Sequence, residues 1–162
     1  MNIKHVTISL IIGLIIGAGA GFAGGILVFP FLFPPPEVNE TVANKESKRE
    51  IATGTFIHAG PSDPIHYGSG NLTIYDDLIH IESDFEVGPG PKYHVYLVPE
   101  LDVMPDTDVV NTMYVDLGRL KAFSGSQNYA IPEGININDY QSVVIWCEQF
   151  SVLISPANLA FN

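Results

Sequence analysis

"SVVIWCEQFSVLISP", residues 142–156, carries the chain's one cysteine, Cys147, next to its one tryptophan, Trp146, in the most apolar stretch after the N-terminal segment. It reads as two short strands, 142–147 and 150–154, with a polar break between them. Side chains alternate along a strand, so Val143, Ile145 and Cys147 share one face and Val144 and Trp146 the other. Both faces are apolar. Such a strand is either covered on both sides or lines a pocket, and Cys147 is either a small hydrophobe filling a core or the one redox-capable side chain available.

Working outward, residues 51–162 are short β-rich runs bounded by Gly, Pro, Asn and Asp. Further strands are expected at 54–58, 71–75, 78–83, 93–98, 114–117 and 128–131. "IYDDLIHI" sets Asp76-Asp77 as a tight turn inside a hairpin. "PEGININDYQS" has room for one helical turn at most. The expected fold class is all-β, an antiparallel sandwich or barrel-like domain, with one N-terminal transmembrane helix.

The N-terminal part, residues 1–33, is a membrane anchor by composition. No charged residue occurs from Val6 to Phe33, and about 20 apolar residues suffice to cross a bilayer. A signal peptide is the rival, with Ala18-Gly19-Ala20 as a small-residue cleavage pattern, but the apolar run continues well past it. A short N-terminus bearing Lys4 favours a cytoplasmic start and an extracytoplasmic C-terminal domain in the cell membrane. Gly13, Gly17, Gly21 and Gly25 fall on one helix face and suit a homodimer. Residues 34–50, "PPPEVNETVANKESKRE", read as a stiff Pro-rich stub followed by a flexible polar tether.

The net charge of −11, from seven basic and 18 acidic residues, opposes nucleic-acid binding. One cysteine excludes an internal disulfide and a C-x-x-C-H haem attachment. A blue-copper site needs a histidine soon after the cysteine, and His5, His58, His66, His80 and His94 all precede it. Zinc lacks ligands at suitable spacing, and no metal site is expected. A nucleophilic cysteine would want a cationic neighbour, whereas Cys147 is followed by Glu148, which raises a thiol pKa. His80 is expected on the solvent face of its strand, opposite Ile79 and Ile81, and His94 half-buried. His58 and His66 flank a turn-rich loop. Asn39-Glu40-Thr41 and Asn71-Leu72-Thr73 fit the glycan-acceptor pattern.

The segment "LGRLKAFSGSQNYAIPEGININDYQSVVIWCEQFSVLISPANL", residues 117–159, resembles the signature of the DM13 domain family. It has L-G-x-L-K, then G-x-Q-x-Y-x-I-P, then Y-x-S-V-V-I-W-C with an apolar strand after it. "GTFIHAGPSDPIHYGSGNLTIY" and "GPKYHVYLVP" extend the resemblance over about residues 52–160. The resemblance implies a β-rich surface module proposed to transfer electrons through its signature cysteine, as a bare thiol or as a ligand to a group such as haem. That cysteine matches Cys147, the candidate redox and cofactor-binding residue, with Tyr93, His94, Tyr96 or Met113 as cross-strand company. An unidentified redox or surface protein would be its partner. The competing expectation is a non-catalytic surface-binding β-sandwich with Cys147 in its core.

Overall fold

The computed structural model describes residues 3–162. They form two units, the N-terminal segment through Pro34 and the domain Pro35–Asn162. The first is α1, Ile3–Leu32, a helix of 30 residues. At 1.5 Å per residue it is about 45 Å long, more than the roughly 30 Å of a bilayer core. Its composition suits a membrane span and equally an N-terminal signal sequence. A Cβ added at Gly13, Gly17, Gly21 or Gly25 would meet nothing within 4 Å.

The second unit is a nearly closed, barrel-like antiparallel sheet. Its strands are β1 (Glu50–Phe56), β2 (Gly68–Tyr75), β3 (Leu78–Ile81), β4 (Glu86–Val87), β5 (Tyr93–Val98), β6 (Val115–Arg119), β7 (Gln127–Ala130), β8 (Ser142–Cys147) and β9 (Val152–Phe161). They run in the order β6-β5-β8-β9-β1-β2-β3-β7, and β4 pairs with the start of β2. The end strands β6 and β7 come together, which leaves little free edge. Asp76-Asp77 makes the expected turn between β2 and β3. Gly70, at φ +110°, redirects β2 so that Gly68 and Ser69 pair with β4 while the rest of the strand pairs with β1 and β3.

β8 lies between β5 and β9 and is buried along its whole length. Val143, Ile145 and Cys147 face the barrel interior with Tyr93, Val95, Leu97, Ile154 and Ala157. Val144 and Trp146 face outward into a second cluster of Tyr96, Val98, Leu153 and, from the connecting loops, Ala59, Val103 and Val109. Of the two alternatives for such a strand, cover on both sides is the one found.

β9 runs to Phe161, past the expected end at 154. Pro156 hides this continuation in the sequence, since proline has no N–H for a ladder. The Ile57 amide still donates to the Pro156 carbonyl (3.0 Å), and the Ile57 carbonyl accepts the Ser155 hydroxyl (2.8 Å). A side chain thus supplies the donor that proline lacks.

Two expectations need correction. His80 is 6% exposed, not solvent-facing. Its Nδ1 lies 2.6 Å from Asn128 Oδ1, and the Asn128 side-chain Nδ2 donates to the Thr41 carbonyl (2.9 Å). The polar stretch that covers it is part of the supposed tether, the second correction. Glu40 bonds the β7 edge through its own amide to the Ser126 carbonyl (3.0 Å) and through its carboxylate to the Asn128 amide (2.7 Å). The same carboxylate pairs with Lys121 at 2.7 Å, while Lys48 reaches Asp77 at 2.6 Å. A segment without apolar periodicity reads as solvated, yet here it satisfies a strand edge by hydrogen bonding.

Gln127 is fully buried and organises the crossing from β6 to β7. Its Oε1 accepts the Lys121 amide (3.0 Å), the Ala122 amide (3.2 Å) and the Tyr129 hydroxyl (2.8 Å), and its Nε2 donates to the Ala122 carbonyl (2.9 Å). Gln127→Leu keeps the bulk and strips partners from several buried groups, so a loss of about 2–4 kcal/mol is expected in denaturant unfolding of the full chain. Glu40→Ala is expected to release the stretch 37–49, read as faster tryptic cleavage at Lys45, Lys48 and Arg49 with the barrel left intact.

Candidate functional site

Cys147 ends β8, opposite Tyr93 on β5 and Val152 on β9. The four-residue turn 148–151 follows, with Ser151 at φ 52°, the left-handed position that closes such a hairpin. The thiol is 2% exposed and donates to the Pro91 carbonyl at 3.3 Å. Burial pushes the Cys147 thiol pKa up, the amides of Phe150 and Gln149 pull against that, and Glu148 adds a small upward push. The thiol form is favoured.

Tyr93 shares the Cys147 face and packs edge-on against Phe123 with ring centroids 5.9 Å apart. A Cβ added at Gly90 would lie 2.0 Å from its hydroxyl oxygen, which is why glycine stands there. Burial, then the neighbouring Cys147, raises the Tyr93 pKa. Of the four side chains considered as company for Cys147, Tyr93 alone joins it. His94 pairs with Trp146 and Tyr96 with Val144, so both face outward, and Met113 is 83% exposed on a loop. Haem does not fit at Cys147: the sulfur points into an interior already filled by Tyr93, Val95, Ile145 and Ile154.

The outer face of β5 and β8 holds the second arrangement. Tyr96 stacks on Tyr114 with centroids 4.4 Å apart and planes at 23°, and on Trp146 at 6.4 Å and 24°. Its hydroxyl donates to Glu148 Oε1 at 3.0 Å. Lys92 Nζ lies 2.9 Å from Glu148 Oε2, and His94 Nε2 lies 3.5 Å from the same oxygen. On the other side of the imidazole, His94 Nδ1 is 3.0 Å from both Asp116 oxygens. The Lys92 ammonium first, then the Tyr96 hydroxyl and His94, hold the Glu148 pKa below its ordinary value against the cost of burial. Tyr96 moves the other way: burial first, and then its bond to the Glu148 carboxylate, push its ionisation well above the ordinary phenol range.

Ligand atoms of His94, Asp116 and Glu148 lie within 4.8 Å of one another, the one such group among the described residues. The two carboxylates address different ring nitrogens and Glu148 is bridged to Lys92, which is the pattern of an ion-pair cluster. Glu148, Asp116 and Tyr114 carried no signal of a shared site along the chain, because the register of β6 against β5 is what brings two of them beside His94 and Tyr96. The loop histidines behave as turn residues. Asp63 caps that turn through the Ile65 and His66 amides, and the His66 ring with these amides draws its carboxyl down to about 2.

Residues 62–159 match the family model described as Electron transfer DM13. No curated protein and no solved structure matches the chain. The matched stretch is more than half of the sequence and runs from the loop before β2 nearly to the end of β9, with Cys147 and the outer cluster inside it. The chain belongs to the DM13 electron-transfer domain family.

Proposed function

We propose that the chain is an electron-transfer module held at the cell membrane by α1, with its barrel outside the cytoplasm and Cys147 as its redox-active side chain. The observation that carries this reading is the position of Cys147: the chain's one thiol lies inside the matched stretch, at the end of its most buried strand. The length and apolar character of α1 support the anchor. The hairpin that follows the sulfur exposes Gln149 and Phe150, a small surface through which a redox protein can approach.

A buried thiol with a raised pKa is a poor nucleophile at neutral pH, because the thiolate is the reactive form. The environment therefore disfavours thiol exchange with small disulfides; in one-electron oxidation by a docked redox protein the S–H bond breaks, the electron reduces that protein's acceptor by one unit, and the proton passes to a base the partner presents, leaving a thiyl radical. Native alkylation by N-ethylmaleimide, read by intact mass, is expected to be slow at neutral pH and to accelerate only above the roughly 8.5 of a free thiol. With the folded pKa above the unfolded one, the thiol's contribution is complete below about 8.5 and declines as pH rises toward the folded value. Voltammetry of the full chain in lipid nanodiscs is expected to include a wave that Cys147→Ser removes. An unchanged wave in that variant assigns the electron elsewhere; no wave in either protein favours the surface-binding alternative.

A further inference from the structure

We propose that Tyr96 is a second redox group, oxidised by one electron while its phenolic proton passes to Glu148, with Tyr114 and Trp146 stacked on either side of it. This rests on the reading of the domain as an electron-transfer module and is independent of Cys147.

Oxidising a phenol that keeps its proton leaves a cation, and a bare cation inside a protein is costly. A base already bonded to the hydroxyl removes that cost by taking the proton as the electron leaves. Glu148 is placed as that base, with its Oε1 3.0 Å from the Tyr96 oxygen. Lys92 and His94 keep it ionised. The phenol does not lose its proton first, since burial and the carboxylate both oppose ionisation before oxidation. Other buried tyrosines lack this partner: the Tyr129 hydroxyl donates to the amide oxygen of Gln127, and the Tyr75 hydroxyl has no partner among the described residues.

The stack supplies the route. Tyr114 precedes β6, the end strand of the sheet, and is half-buried. Tyr96 is 2% exposed on β5, and Trp146 is 5% exposed on β8. Three near-parallel or tilted rings thus cross adjacent strands from the sheet end inward. In the forward step the Tyr96 O–H bond breaks, an O–H bond forms on Glu148 Oε1, and one electron passes through Tyr114 to a high-potential metal complex, which is reduced by one unit. The products are a neutral phenoxyl radical and a carboxylic acid. In the reverse step an electron and the Glu148 proton return to the phenol.

The test uses the full chain in nanodiscs with photogenerated ruthenium(III) tris-bipyridine as the oxidant, and electron paramagnetic resonance with transient absorption as the readout. A neutral tyrosyl radical is expected in the natural chain and is expected to fall to background in Tyr96→Phe. Glu148→Gln keeps an acceptor oxygen and loses the base, so radical formation is expected to slow by about a hundredfold, within what a positioned base contributes. Cys147→Ser is expected to leave the radical in place. An undiminished tyrosyl signal in Tyr96→Phe, an unchanged rate in Glu148→Gln, or a signal of indolyl type overturns the proposal. Absence of the radical alongside the Cys147-dependent wave overturns this inference alone; absence of both overturns the electron-transfer reading as well.

Discussion

β8 has no polar face, and most of the domain is arranged to meet that requirement. The barrel covers one side, burying Val143, Ile145 and Cys147. The other side needs a cover that a closed barrel does not supply. The long connection from β5 to β6 and the residues after β1 provide it through Val103, Val109 and Ala59, set over Val144, Trp146, Tyr96 and Leu153. At about 1.5–3 kcal/mol for each large side chain, burying those last four contributes roughly 6–12 kcal/mol. That is comparable with the whole net stability of an ordinary domain, about 5–15 kcal/mol. A connection this long would otherwise be an unusual feature of a compact β domain.

The alternating pattern of "SVVIWC" was readable because a strand's period is two, and it placed Cys147 and Trp146 on opposite faces without any tertiary information. The strands at 93–98 and 142–147 were legible to the residue for the same reason: both are apolar runs bounded by turn signals. β9 was cut short by Pro156, whose missing donor is replaced by the Ser155 hydroxyl, a compensation that only the third dimension shows. His80 obeyed the alternation, opposite Ile79 and Ile81. What it did not reveal was that residues 40–41 lie over that face. The outer cluster was the least legible part, since Tyr96, Tyr114, Asp116 and Glu148 meet through the pairing of β5 with β6 and β8.

Electrostatics binds these parts with few cations. Of seven basic residues, Lys48 and Lys121 fasten the stretch 37–49 to the barrel, and Lys92 bridges the end of the β5 approach to the β8–β9 turn. Each pair is partly exposed, so its effect lies in fixing geometry more than in stability. The remaining surface is strongly acidic. A partner that docks by charge would present a basic face, and its approach would slow as salt is added.

The same pleat that gives β8 two buried faces also separates two chemically distinct groups. Cys147 lies in the interior with Tyr93, held protonated by burial. One residue earlier, Trp146 turns outward onto Tyr96, whose hydroxyl meets the next residue after the cysteine, Glu148. Three consecutive side chains thus serve different ends: an aromatic contact, a shielded thiol and a carboxylate acceptor. Moving the register of β8 by one position would exchange the two faces and bring the indole into the barrel. The bulge between β8 and β9 at Ile145 and Trp146 lies at that point, where the ladder shifts so that Trp146 opposes Leu153 and Cys147 opposes Val152. The extra residue in β9 lets the hairpin close directly after the sulfur. Glu148, the first residue of that turn, lies within reach of Tyr96 on the neighbouring strand, its Oε1 3.0 Å from the phenol oxygen.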